Sequence, residues 1–117
     1  MYDTKRPNIW TLDRAYTRMT DIGPIVVPKG FETDLASTPR QVWRAFPRWG
    51  RWSGAAIVHD YLYRTQPPGV SRLKADAIFH RLMREDRVLH GISDVIFRMV
   101  RRFGGSAWRR FGQEPGA

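Results

Sequence analysis

Cysteine is absent from the 117 residues, which excludes disulfides, thiolate zinc sites and cysteine nucleophiles and leaves oxygen or imidazole as the ligands any metal would need. Long apolar runs are missing too. The uncharged stretches fall well short of a bilayer span, and the opening Met-Tyr-Asp-Thr-Lys-Arg-Pro-Asn has no apolar segment of the kind a secretory signal needs. Neither a transmembrane helix nor a signal peptide is expected. Acidic residues are lacking in two places. Between Leu35 and His59 stand Arg40, Arg44, Arg48 and Arg51 with no Asp or Glu, and between Val95 and Gln113 stand Arg98, Arg101, Arg102, Arg109 and Arg110, again with none. These nine arginines account for the whole formal charge of +9, because the other 11 basic residues balance 11 acidic ones. Such blocks attract polyanions, acidic proteins or anionic lipid, or serve as solvated helix faces.

What is present is enough for a core: 42% hydrophobic and 13% aromatic residues argue against disorder, and the length suits a single domain spanning 1–117. The expected class is α+β, with residues 1–34 mainly β, 37–111 mainly α in about four helices, and 113–117 a loose tail. Trp10, Leu12 and Tyr16 follow a period of two, Ile25-Val26-Val27 is a β-branched run, and Pro28-Lys29-Gly30 is a turn. Together they predict a small antiparallel sheet. Ser37-Thr38-Pro39 reads as the N-terminus of a first helix, with Ser37 as a cap candidate, burying Val42, Trp43 and Phe46. Ser53 is the cap candidate for a second helix, which Pro67-Pro68-Gly69 must end. A third, capped by Ser71, runs to about Asp86 with Leu73, Ala77, Phe79, Leu82 and Met83 apolar. The fourth spans about Ile92 to Phe103, closed by Gly104-Gly105.

The second helix carries His59-Asp60-Tyr61-Leu62-Tyr63. His59 and Tyr63 share a face, and Asp60 lies about 100° away, toward a neighbouring loop. The third helix carries Asp76 and His80. If the two helices form an antiparallel hairpin about Pro67-Pro68, residues whose numbers sum to about 135 share a level, as His59 and Asp76 do. A carboxylate facing an imidazole fixes its tautomer and steadies the imidazolium that forms when it takes a proton. Asp76 could equally pair with Arg72 or Lys74, and Tyr63 could be a core aromatic. A metal phosphohydrolase of the HD type would need a histidine upstream of the His-Asp pair, and His59 is the first histidine of the chain.

Two resemblances rest on these residues. Val27 to Arg40, Ala56 to Tyr63, Ser71 to Asp76 and Phe103 to Trp108 resemble the phage and prophage family known as domain of unknown function 1353. That resemblance implies a tailed-phage or prophage product made in the bacterial host cytoplasm, with incorporation in the virion as a further expectation. It implies no established activity. Locally, His59-Asp60-x-x-Tyr63 with Ala75-Asp76-x-x-Phe79 is similar to the active-site helix pair of phospholipase A2. That similarity implies His59 as general base, Asp76 as its orienting carboxylate, Tyr63 as support for Asp76, and Asp60 as a calcium ligand. Asp34 is a candidate second carboxylate for calcium or, alternatively, a cap for the first helix. The glycine-rich calcium loop of those enzymes has no counterpart at matching spacing here.

The expected function is an ester hydrolase acting on envelope lipid when a phage enters or lyses its host. The alternative is a non-catalytic virion, tail or assembly component whose partners are phage structural proteins or an anionic membrane surface. In both, Arg40, Arg44, Arg48 and Arg51 interleaved with Trp43, Trp49 and Trp52 are expected to form a contact surface. No helix-turn-helix or zinc-finger pattern points to sequence-specific DNA binding.

Overall fold

A computed structural model describes residues 9–35, 37–47 and 50–113. Its architecture is α+β, with two small antiparallel sheets and five helices. The expected single N-terminal sheet is instead two separate pairs. Strands β1 (Trp10–Thr11) and β4 (Glu32–Thr33) pair with each other, while β2 (Tyr16–Thr20) and β3 (Gly23–Val27) form a hairpin. The turn Asp21-Ile22 joins Thr20 to Gly23, whose φ of 102° lies in the left-handed region that glycine adopts without a steric penalty. Alternation then sorts the hairpin's side chains: Ile25 and Val27 are buried, and Met19 and Val26 face outward.

Five helices follow: α1 (Arg40–Ala45), α2 (Ser53–Thr65), α3 (Arg72–Glu85), α4 (His90–Phe103) and α5 (Gly105–Gln113). The fifth goes beyond the expectation of about four helices, in which residues to 111 are mainly α but Gly104-Gly105 closes the last defined helix. Gly104 is indeed the C-cap of α4, but the chain turns there and starts again, burying Ala107 and Phe111. On α3, Leu73 and Ala77 are exposed, whereas Ala75 and Ile78 join Phe79, Leu82 and Met83 in the core. The buried face of that helix is therefore rotated from the expected one. Ser71 caps α3 as expected, accepting a hydrogen bond from the Lys74 amide at 3.1 Å. Ser53 is not a cap but the first residue of α2, its hydroxyl donating to the Gly50 carbonyl at 2.8 Å.

Helix α2 is the central element, buried along most of its length by α3, α5 and β3. Small residues make this possible. A Cβ at Gly54 would collide with the Tyr16 hydroxyl, and Ala55 and Ala56 are wholly buried. The helix ends at Gln66, whose left-handed φ of 43° turns the chain into Pro67-Pro68-Gly69. Helices α2 and α3 then run antiparallel: Tyr63 meets Asp76, while His59, one turn earlier on α2, packs against Phe79, one turn later on α3. Ion pairs fasten the hairpin to this body, Arg18 to Asp86 at 2.8 Å and Lys74 to Asp21.

Candidate functional site

A helix buried on most sides must satisfy any polar side chain it carries from other elements of the protein. Helix α2 carries His59 and Asp60 side by side, both with no solvent exposure. Because they point about 100° apart, each requires its own set of partners.

His59 points toward α3. Its Nε2 lies 2.7 Å from Asp76 Oδ1 and its Nδ1 lies 3.1 Å from Ser37 Oγ. A carboxylate only accepts, so Nε2–H donates to Asp76; neutral His59 then presents a bare Nδ1, which accepts from the Ser37 hydroxyl. The Tyr63 ring stacks at a tilt on the imidazole, with centroids 4.3 Å apart, and Phe79 flanks it at 4.6 Å. These rings hold the imidazole in one orientation.

Asp76 receives four donors. His59 Nε2 and the Tyr63 hydroxyl, at 2.6 Å, converge on Oδ1, and Arg101 at 2.6 Å and Arg72 at 3.5 Å converge on Oδ2. Burial alone would raise its carboxyl, but the hydrogen bonds from His59, Tyr63 and Arg101 outweigh burial and hold it below the usual carboxylate range. Burial, with the Asp76 charge, pushes the Tyr63 phenol well above its ordinary value, so it remains a donor. Gly104 closes against this cluster, since a Cβ there would lie 3.0 Å from the Tyr63 hydroxyl.

Asp60 looks the other way, toward the segment after β4. It accepts from the Thr33 hydroxyl at 2.6 Å, from Arg64 Nε at 3.0 Å and from the Ser37 amide at 3.4 Å. Arg64 also bonds Asp34 at 3.1 Å, so one guanidinium sits between the two carboxylates expected to hold calcium. Calcium does not fit this arrangement, because it needs six to eight oxygen ligands and the position between Asp34 and Asp60 is filled by a cationic side chain. Among the described residues no group of three or more His, Cys, Asp or Glu is placed to hold a metal. Adding calcium at about 1 mM should therefore leave the thermal midpoint unchanged, a result that differential scanning fluorimetry with and without chelator would check.

Ser37 joins the two clusters, its amide bonded to Asp60 and its hydroxyl to His59. It is not the cap of α1, whose N-cap is Pro39. The cause lies in Leu35, a buried residue at φ 61° whose carbonyl accepts the Thr38 amide at 3.1 Å. That left-handed turn directs Ser37 inward, and the Thr33 hydroxyl supports it by accepting the Leu35 amide at 3.0 Å. Ser37 also forms part of the wall of a cavity of about 350 Å³ that Arg40, Gln41, Phe103, Ser106 and Arg110 help to line.

The structure thus brings together His59, Asp76 and Tyr63, and separately Asp60 and Asp34. Among the described residues the basic-aromatic stretch does not share one face. Arg40 and Arg44 are exposed on α1, but Trp43 packs against the core, and Trp52 donates to the Pro47 carbonyl at 3.0 Å with its ring edge-on to Phe46. Arg51 and Trp52 instead border a groove with Val88, Leu89 and Ile92. Arg48 and Trp49 lie outside the described residues, as do residues 1–8 of the β region and 114–117 of the tail. Sequence reasoning missed Ser37, Arg64 and Arg101 as members of these clusters. The i,i+4 spacing of Asp60 and Arg64 signalled that pair; no local signal marks Arg101, 25 residues beyond Asp76.

No helix among the described residues is long and apolar enough to cross a membrane. Neither the curated proteins nor the solved structures contain a significant match to the chain. Residues 10–100 match the family described as protein of unknown function, DUF1353, and the chain belongs to that family.

Proposed function

We propose that this protein is a small ester hydrolase in which Ser37 is the nucleophile, His59 the general base and Asp76 the residue that orients it. The observation that carries the reading is the continuous chain from Ser37 Oγ through His59 to Asp76, beginning at a residue of the cavity wall. Ser37 Oγ attacks the ester carbonyl while its proton passes to Nδ1. The imidazolium returns that proton to the departing alkoxide, and water then hydrolyses the acyl-Ser37 to release the acid. The two ring nitrogens serve in the opposite order to the familiar serine-protease triad, with Nδ1 toward the hydroxyl and Nε2 toward the carboxylate. Tyr63 and Arg101 hold Asp76 ionised through the cycle. A phage or prophage origin belongs to this proposal as an extension of the family resemblance, and an envelope-lipid substrate as an extension of the local likeness around His59.

A second reading is a non-catalytic assembly component in which these groups only pin four elements together. The complete burial of Ser37, His59 and Asp76 favours it. A fluorophosphonate probe separates the two. The hydrolase reading expects a covalent mass increase mapping to Ser37, and turnover of short p-nitrophenyl esters that falls about a hundredfold or more in Ser37→Ala and His59→Gln. Circular dichroism checks that both variants fold. An unlabelled Ser37 in the folded wild type, together with equal turnover in Ser37→Ala, would overturn the enzyme reading and leave the structural one.

A further inference from the structure

The cavity beside Ser37 has a chemistry of its own. It is walled by α1 on one side and by the α4–α5 junction on the other, so its two arginines come from elements far apart in sequence. Arg40 stands at the start of α1 and Arg110 in α5. Both are exposed, and among the described residues neither has a carboxylate within ion-pair distance. This distinguishes them from Arg18, Arg64, Arg72, Arg84 and Arg101, each of which holds an acidic partner. No acidic residue lines the cavity; the hydroxyl of Ser106 and the amide of Gln41 supply further hydrogen-bonding groups, and Phe103 supplies an apolar flank.

Two cationic side chains that line one concavity with no acidic residue in its wall favour an anion there, and the Arg110 guanidinium, 5.1 Å from the Phe111 ring, is left with no carboxylate partner among the described residues. Guanidinium forks match the oxygen spacing of a phosphate and bond it in bidentate fashion, and hydroxyls and amides complete the shell of a tetrahedral anion. The volume of about 350 Å³ is at the lower end of small-molecule sites and leaves room for a group esterified to the phosphate.

We propose that this cavity is a recognition site for a phosphate ester, gripped by Arg40 and Arg110. The inference deepens the hydrolase reading, on which it rests only for the role of the bound group, which is to hold the carboxylic ester of the same molecule beside Ser37. The same phosphate chemistry is offered by a soluble phosphomonoester and by a lipid headgroup.

Isothermal titration with inorganic phosphate and with glycerol 3-phosphate, and co-sedimentation with phosphatidylglycerol vesicles in a phosphatidylcholine background, test it. Wild type is expected to bind at least one of these probes. Arg40→Gln/Arg110→Gln should bind that probe about tenfold or more weakly, while Arg102→Gln/Arg109→Gln, which removes the same charge outside the cavity wall, should stay within about twofold. Binding of the soluble esters identifies a soluble ligand, and vesicle binding alone identifies a headgroup; either supports the phosphate site. Equal weakening in the two double variants would reduce the effect to diffuse charge and overturn it. Acetate binding as well as phosphate, or no binding of any probe at about 10 mM, would overturn it too. The two proposals stay separable in the wild type: phosphate binding without fluorophosphonate labelling, and with equal ester turnover in Ser37→Ala, leaves this site standing and removes the hydrolase.

Discussion

Asp76→Asn should lower the unfolding free energy at neutral pH by about 3 kcal/mol, read as a shift in urea midpoint with little change in slope. The substitution conserves shape, so the effect comes from hydrogen bonding and charge. All four partners of this carboxylate are donors, two directed at each oxygen. Asparagine offers one acceptor oxygen and one NH2, and whichever way it turns, the NH2 faces donors, either His59 and Tyr63 or Arg72 and Arg101. Buried donors are then left unpaired, and two guanidiniums lose the anion that neutralised them.

Acid should erase that difference. The folded-state pKa of Asp76 is depressed below the unfolded value of about 3.9, so its contribution is present in full above that value and is lost as pH falls through the folded pKa. The gap between wild type and Asp76→Asn should therefore begin to narrow below about pH 4 and close as pH falls through the folded-state pKa, since a protonated Asp76 has lost the same charge as the amide. Urea titrations at pH 7, 4 and 3 would check this, and a gap that persists unchanged at pH 3 would refute it. Asp21 and Asp94 are depressed as well, by Lys74 and by His80 with Arg84, but their effects are common to both proteins and cancel in the comparison.

Arg64→Met should cost about 3 kcal/mol through the other cluster. Asp60 has no exposure, and its only cationic partner is Arg64, among the described residues. With that cation gone, the carboxylate retains the Thr33 hydroxyl and the long contact to the Ser37 amide, and its buried charge is uncompensated. The Arg64 guanidinium also lies 4.6 Å over the Phe111 ring, so methionine preserves part of the packing. A double-mutant cycle isolates the charge. Asp60→Asn added to Arg64→Met should recover a large part of the loss, because a neutral amide needs no counter-ion. If the double variant is less stable than Arg64→Met by the full cost of Asp60→Asn alone, the two residues are not coupled and the assignment fails.

The His-Asp pair was legible because it needs only local periodicity and one chain reversal. Helix α2 places His59 and Tyr63 on one face, Pro67-Pro68-Gly69 forces the turn, and the fold-back brings Asp76 within 2.7 Å of His59. The direction of Asp60, toward a neighbouring loop, follows from the same geometry. Its partner did not: a carboxylate one residue from a candidate base reads as a metal ligand until the structure places Arg64 between it and Asp34. The single sheet became two because strand pairing is a contact between segments, and alternation within one segment does not say which other segment it meets.

Composition, helix spacing and turn residues determined by themselves that the chain is α+β, that it can hold no thiolate site, and that His59 and Tyr63 share one helix face to which a chain reversal brings Asp76. Each of these depends on residue type or on near neighbours in the chain. Only the tertiary structure decided that Ser37 faces His59, that Arg101 neutralises Asp76 and that Arg40 and Arg110 border one cavity. Those encounters span 22 residues for Ser37 and 25 for Arg101, and they depend on how α1, α4 and α5 pack around α2. Backbone periodicity sets which face of an element is apolar, whereas the identity of the side chain opposite it is set by packing the whole chain at once.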